Sequence, residues 1–404
     1  MIKIDNYSDI VGENVITSIY KKMRKLYGKH VLNINSTYIG GGVAEILSSL
    51  IPLMNDVGID AGWRTVHGNV DFYGVTKKFH NALQGQAINF SQEKKNLYEQ
   101  VNRRFSRYTH INDHDIVVIH DPQPLPLIQQ YTKRQPWIWR CHIDLSAPNK
   151  DLWNYLKRFI IKYDMIIVSS EKYESKDLPM EYRIIPPAID PLTDKNKQIS
   201  DTIINKYLKK HDVPTDKPLI TQISRFDKWK DPEGVVEVFR RVKDKCENCR
   251  LVLCGNMATD DPEGLRIFEK IMSKAKKMID KKEIILLTVE NSILVNALQR
   301  KSAVIIQKSL REGFGLTVTE GLWKERPVIA SNVGGITLQI QDGENGYLLE
   351  PNDIDGYVDR TLEILKNPSL SQELGKKGKE TVRKKFLITR ILVDYLDLFN
   401  DISS

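Results

Sequence analysis

The 404-residue sequence contains no run of eighteen apolar residues and only four cysteines. The first absence removes membrane-spanning helices from consideration. The N-terminus, Met1-Ile2-Lys3-Ile4-Asp5-Asn6, also lacks a basic segment followed by an apolar one, so a soluble, cytoplasmic protein is expected. Cys246-Glu-Asn-Cys249 has the spacing of half a metal or redox site. No second Cys or His pair accompanies it, so reduced thiols in an intracellular protein are the plainer account, with Cys141 and Cys254.

Nucleotide-binding fingerprints are missing as well. Gly40-Gly41-Gly42 are contiguous rather than spaced Gly-x-Gly-x-x-Gly, and the stretch Asp60 to Val66 ends without the ribose-binding acid of an NAD site. No Walker-type loop appears, which argues against a nucleotide-hydrolysing motor. The formal charge of +8 could serve nucleic acid, an anionic membrane or an anionic substrate. Its lysine clusters, Lys274 to Lys282 and Lys376 to Lys385, interleave with apolar residues at helical spacing and fit solvated helix faces. No zinc-finger, helix-turn-helix or RNP pattern joins them, so neither nucleic acid nor a membrane is expected as partner.

What is present is organised around Arg311 to Trp323, Arg-Glu-Gly-Phe-Gly-Leu-Thr-Val-Thr-Glu-Gly-Leu-Trp. Gly313 and Gly315 turn a loop into a short helix starting near Leu316 and stopped before Pro327. The free N–H groups of its first turn favour an anion, and the glycines let a phosphate approach. Glu312 and Glu320 lie on either side. Carboxylates repel phosphate but accept from pairs of hydroxyls, so the pattern fits a hexose, a diphosphate and a ribose in sequence. A capped surface helix with two solvated glutamates is the other reading.

The length makes two domains the first expectation. Strands are expected at His30 to Asn35, Asp60 to Val66, Ile116 to His120, Trp137 to Cys141 and Met165 to Ser169, short and apolar as buried parallel strands are. The segment with Val43, Ile46, Leu47, Leu50, Leu53 and Met54 on one face follows the Gly40 to Gly42 loop, giving the opening unit of a doubly wound domain. Pro186 to Pro191 and the polar residues up to Pro218 suggest a link. A second set of strands follows at Leu219 to Ile223, Arg250 to Cys254, Ile284 to Leu287, Ala303 to Gln307 and Val328 to Ala330. The fold class is α/β, two Rossmann-like doubly wound domains in tandem, with boundaries at 1–205 and 206–381. A cleft between them would bring the first glycine loop opposite the Leu316 helix. The first 28 residues suggest a helical extension without assigned function.

After Leu219 to Ile223 comes Ser224-Arg225-Phe226-Asp227-Lys228-Trp229-Lys230. Arg225 and Lys230 stand at the C-terminal end of a parallel strand, where cations meet a diphosphate and can stabilise the charge that grows on a leaving oxygen. In the first half, His142 fits a base, a ligand or a packed strand-end histidine. Asp121 and Asp144 fit hydroxyl ligands or helix caps equally well.

Arg-x4-Lys joined to Glu-x7-Glu resembles the donor site of retaining glycosyltransferases of the GT-B fold, the relatives of sucrose synthase and glycogen synthase. Within them the chain is similar to the trehalose glycosyltransferring synthases of archaea and bacteria. The carrying stretches are Asn35 to Thr37 with Gly40 to Glu45, Phe79 to Gly85, His120 to Pro124, Trp137 to Asp144 and Arg311 to Trp323. The resemblance implies a nucleoside-diphosphate glucose donor, glucose as acceptor and α,α-trehalose as product, with the reverse reaction left open. A phosphorylase using phosphate in place of the nucleotide shares the same fold, and a non-catalytic nucleotide-sugar or nucleic-acid binding protein is the alternative from another class.

By the same resemblance Arg225, Lys230, Glu312 and His142 form the catalytic set. Gly313, Phe314, Gly315, Leu316, Thr317, Glu320 and Gly41 bind the donor, Glu312 at the hexose and Glu320 at the ribose. Asp121, Asp144, Gly42 and Arg140 bind the acceptor. Retention is expected by a front-face route in which the departing phosphate oxygen takes the acceptor proton. No cofactor or metal is expected to be required, with stimulation by Mg2+ and a homodimer left open. Residues from about 382 to 404 are expected to be helical and to return to the first domain, as in related folds. Met257, where a second glycine is usual, suggests a reshaped base or ribose pocket, and Asp260-Asp261 fits a loop rather than a metal site.

Overall fold

The computed structural model describes residues 2–255 and 262–403. Met257 and Asp260-Asp261 lie outside the described residues. The chain divides into two compact units, Met1–Ala188 with Leu387–Ser404, and Ile189–Phe386.

The first unit is built on strands β1 (His30–Asn35), β2 (Asp60–Thr65), β3 (Ile116–His120), β4 (Trp137–Arg140), β5 (Met165–Val168) and β6 (Glu181–Ile184). They form one parallel sheet in the order β2-β1-β3-β4-β5-β6. Every residue of β3, β4 and β5 is buried, which is why these strands are continuous apolar runs rather than alternating ones. Helix Gly41–Asp56 crosses from β1 to β2 and buries Ile46, Leu47, Leu50, Leu53 and Met54, the face expected from the sequence. The strand order reverses between β1 and β3, so this sheet opens its crevice where Asn35 and His120 end their strands.

Helix Ile388–Ser403 belongs to this unit and packs on helices Glu13–Met23 and Gly41–Asp56. Ile388, Ile391, Leu392, Tyr395, Leu396 and Phe399 recur at helical spacing and are all buried. Helix Glu13–Met23 answers with Ile16, Ile19 and Met23, so the N-terminal extension has a packing role.

The second unit contains β7 (Leu219–Ile223), β8 (Arg250–Cys254), β9 (Ile284–Leu287), β10 (Ser302–Gln307), β11 (Val328–Ser331) and β12 (Tyr347–Leu349), ordered β12-β11-β10-β7-β8-β9 and parallel throughout. Its order reverses between β7 and β10. Both units are doubly wound α/β sheets. The two strands that the sequence did not suggest, β6 and β12, are edge strands. Glu181-Tyr182-Arg183-Ile184 is polar and incompletely buried, and β12, Tyr347-Leu348-Leu349, is apolar but only three residues long, too short to stand out as a strand.

The division falls at Ala188, ahead of the boundary expected near residue 205. The cause is local bonding. Ile189 donates its backbone N–H to Phe386 (3.0 Å), and Asn296 donates to the carbonyls of Asp194 and Lys197 at 2.9 and 2.8 Å. Helix Asp201–Lys210, inside the stretch taken for a linker, packs on helix Ser292–Lys301.

Candidate functional site

In the second unit, the turn after β7 and the loop after β10 meet at the sheet's reversal point. Asp227 fixes the first of them, its Oδ1 accepting from the amides of Trp229 (2.9 Å) and Lys230 (3.1 Å). Trp229 then accepts from the Leu310 amide at 2.7 Å, tying the β7 turn to the β10 loop. The result is an ion pair between Lys230 Nζ and Glu312 Oε2, both side chains largely buried. Ser309 Oγ also donates to Glu312 Oε2 at 3.2 Å. Arg225 lies further out, its side chain 47% exposed, with its guanidinium 3.2 Å from Asp227.

A second ion pair lies close by in sequence, between Lys308 and Asp231. Lys308 is buried, and Asp231, in a left-handed conformation (φ 43°), also accepts from the Gly234 amide at 3.0 Å to begin helix Pro232–Lys245. Sequence reasoning missed this pair, because a lysine one residue past a buried strand carries no signal of its partner 77 residues away.

The glycine loop leads into helix Leu316–Trp323 as expected. Gly315 precedes it at φ 87°, a region where any Cβ is strained; here it would also come within 3.2 Å of Glu312 Cγ. Phe314 is buried against Phe386, ring centroids 5.5 Å apart. Gln339 holds the loop from behind, donating to Phe314 O (2.6 Å) and Gly315 O (3.3 Å) while accepting from Thr319 (2.6 Å). That clamp was not legible in the sequence either. By helix geometry the amides of Leu316 and Thr317 have no intrahelical acceptor.

Glu320, expected at the ribose, faces inward. Its side chain is 1% exposed, accepting from Gln299 at 2.9 Å and ion-paired with Lys195 at 2.8 Å. Val318 to Leu322 are all buried, so this stretch of the helix is enclosed on every side and the carboxylate has no exposed face to occupy.

In the first unit, Gly40 and Gly41 have φ of 76° and 80°, and Gly41 and Gly42 are exposed at the start of helix Gly41–Asp56. At the sheet's reversal point His120 and His142 stack, ring centroids 5.4 Å apart, with His120 Nδ1 3.0 Å from His142 Nε2. His120 Nε2 is 3.0 Å from Asn33 Oδ1. Burial, with Arg140 nearby, pushes the His120 pKa down to about 3, and burial, Arg140 and His120 together drive that of His142 well below its ordinary value. Both rings are neutral near pH 7.

Asp121, at φ 61°, accepts the His142 amide at 2.7 Å. Burial raises its pKa to about 6, against the opposing pull of that amide and of Arg140. Asp144 is buried and accepts from the Ser146 amide at 2.9 Å. Asp121 thus ties the ends of β3 and β4 together, and Asp144 holds a local turn.

Arg140 is a correction. It was expected to bind an acceptor sugar, yet it is 2% exposed, and its guanidinium donates to Val168 O (3.3 Å), at the end of β5, and Ile185 O, just past β6. As the last residue of an entirely buried strand, it satisfies its own charge on these carbonyls, the first of which also accepts from the Ile185 amide at 2.9 Å.

All four cysteines are unbridged, and Cys249 Sγ lies 3.1 Å from the Cys246 carbonyl as a thiol donor. Burial raises Cys254 to about 12. Among the described residues no three His, Cys, Asp or Glu side chains are grouped to hold a metal ion, and no described helix is long and apolar enough to cross a membrane.

Residues 33–175 match the family model of the trehalose synthase N-terminal domain, and residues 203–381 that of glycosyl transferases group 1. Across 98% of this chain and 97% of the other, the sequence is 47% identical to the trehalose synthase of Thermococcus litoralis. The chain belongs to the trehalose synthase family of glycosyltransferases. It is also 41% identical to the family's Rubrobacter xylanophilus member, over 98% of this chain and 95% of that one. The GT-B fold is shared with solved structures such as an α,α-trehalose 6-phosphate synthase of Burkholderia multivorans, with a TM-score of 0.74 at 16% identity, covering 93% and 100% of the two chains. In this trehalose synthase family member, the structure brings Lys230, Glu312 and the glycine loop together in one unit, and His142 and Asp121 in the other.

Proposed function

We propose that the protein transfers glucose from a nucleoside-diphosphate glucose to glucose, with retention, to give α,α-trehalose, and that the reaction runs in both directions. The observation carrying this reading is the Lys230–Glu312 ion pair beside the free amides of the Leu316–Trp323 helix. A cation and a helix N-terminus suit a diphosphate, and a carboxylate held beside them suits hexose hydroxyls.

In this reading Lys230 and Arg225 neutralise the diphosphate as it departs, and the Leu316 and Thr317 amides receive its oxygens. Glu312 orients the hexose. The bond from the anomeric carbon to phosphate breaks, the bond to the acceptor oxygen forms on the same face, and the acceptor's proton passes to the departing phosphate oxygen. Lys230 supplies the charge compensation that a metal would otherwise provide, so no resident metal is required. The ribose reaches Glu320 by taking the place of Lys195 Nζ. His142, neutral and held through His120, offers its remaining ring nitrogen to the transferred sugar.

The test is a product assay with glucose and, separately, ADP-, UDP- and GDP-glucose, with NMR of any disaccharide. An α,α-1,1 linkage formed only with a nucleotide donor supports the proposal. Glucose 1-phosphate from trehalose and phosphate, with no nucleotide-dependent product, replaces it with a phosphorylase.

A further inference from the structure

The first unit holds a cavity of about 360 Å³ to which none of the residues assigned above contributes. It lies at the C-terminal end of β2, the edge strand of the sheet, between the loop that follows β1 and the last turn of helix Gln92–Ser106. Its volume is within the range of small-ligand sites, roughly 300–1,000 Å³.

Charge decides what it suits. Arg64 and Arg104 both line it, no carboxylate does, and neither arginine has a carboxylate partner among the described residues. Two guanidiniums facing one cavity without a counter-ion are a site for an anion with several oxygens, which each fork can bind in bidentate fashion. The hydroxyl-bearing Thr65 and Thr109 add neutral partners.

The remaining wall is aromatic. Tyr38 and Tyr108 are 50% and 75% exposed and line the cavity with Phe105. Tyr38 is held in place, its hydroxyl donating to Trp63 O at 3.0 Å and its ring edge-on to Trp63 with centroids 4.8 Å apart. The held Tyr38 ring, exposed beside a polar pocket, gives the apolar C–H face of a sugar a surface to cover.

From this combination we infer that the cavity binds a sugar monophosphate, its phosphate between Arg64 and Arg104 and its ring against Tyr38 and Tyr108. The inference does not rest on the transfer reaction, and its test measures binding alone.

Calorimetric titration of the intact protein with glucose 6-phosphate, inorganic phosphate and glucose provides the test. Glucose 6-phosphate is expected to bind more tightly than either of the others. Arg64→Gln and Arg104→Gln each weaken it by roughly tenfold or more, the loss expected for one charge-assisted contact, whereas Lys230→Ala leaves it unchanged. Arg104 is exposed near a helix end, so its variant keeps the fold, and an unaltered melting temperature checks this. Absence of binding, affinity unchanged in both arginine variants, or loss confined to Lys230→Ala would each overturn the assignment; the last would place the phosphate in the diphosphate site. Equal affinity for inorganic phosphate and glucose 6-phosphate would overturn the sugar component.

Discussion

His120 sets the tautomer of His142. With Asn33 Oδ1 accepting at 3.0 Å, His120 carries its proton on Nε2, so its Nδ1 is an acceptor and His142, 3.0 Å away, donates from Nε2. Nδ1 is then the free acceptor of the His142 ring. The same network makes stability depend on pH. His120, lowered to about 3 from 6.5, contributes stability that is present above pH 6.5 and lost as pH falls toward 3, and His142 has the same sign. Asp121, raised from 3.8 to about 6, acts oppositely, its contribution being present below 3.8 and lost as pH rises through 6. The two histidines outweigh one aspartate, so acidification below pH 6.5 destabilises the protein. His120→Gln should reduce the acid slope by one proton, ~1.4 kcal/mol per pH unit. Urea midpoints between pH 7 and about 4 measure it; a slope identical in the two proteins would contradict a neutral, buried His120.

Lys230→Ala and Glu312→Ala each remove half of a largely buried ion pair. Turnover should fall by roughly 10²–10³, the cost of losing one group that stabilises a developing charge. Circular dichroism should still report the folded protein. Wild-type turnover in the Lys230 variant would remove the donor-site assignment.

Glu320→Gln removes the charge and one of the two acceptor oxygens, so its single amide oxygen serves either Lys195 or Gln299. The expected outcome is donor KM raised about tenfold, with kcat within a few-fold of wild type in steady-state assays that vary the nucleotide-sugar. A fall in kcat at unchanged KM would count against a ribose contact.

Arg140→Met should act on stability and not on the acceptor. It leaves the Val168 and Ile185 carbonyls without the guanidinium, at a cost of roughly 2–4 kcal/mol. The melting temperature should drop while glucose KM stays put. The reverse pattern would restore Arg140 to the sugar site.

Much of the fold was legible because buried parallel strands must be apolar throughout. Ile116 to His120 and Leu219 to Ile223 announced themselves, whereas β6 and β12, at sheet edges and partly wet, did not. The helix at Leu316 was legible too, since glycine before it and proline after it act within a few residues of the chain.

The sequence by itself determined most of the elements and the residue types around them: two glutamates and the loop glycines Gly313 and Gly315 in Arg311 to Trp323, and a cation turn after β7, each fixed by short-range backbone chemistry. Tertiary structure alone decided which way those side chains face. Glu320 turns inward to Lys195, Arg140 is spent on backbone carbonyls, and Lys308 finds Asp231. Those outcomes follow from desolvation. A charge carried into a packed sheet must be satisfied by whatever partner the strand order brings within reach, and strand order is not written in local spacing.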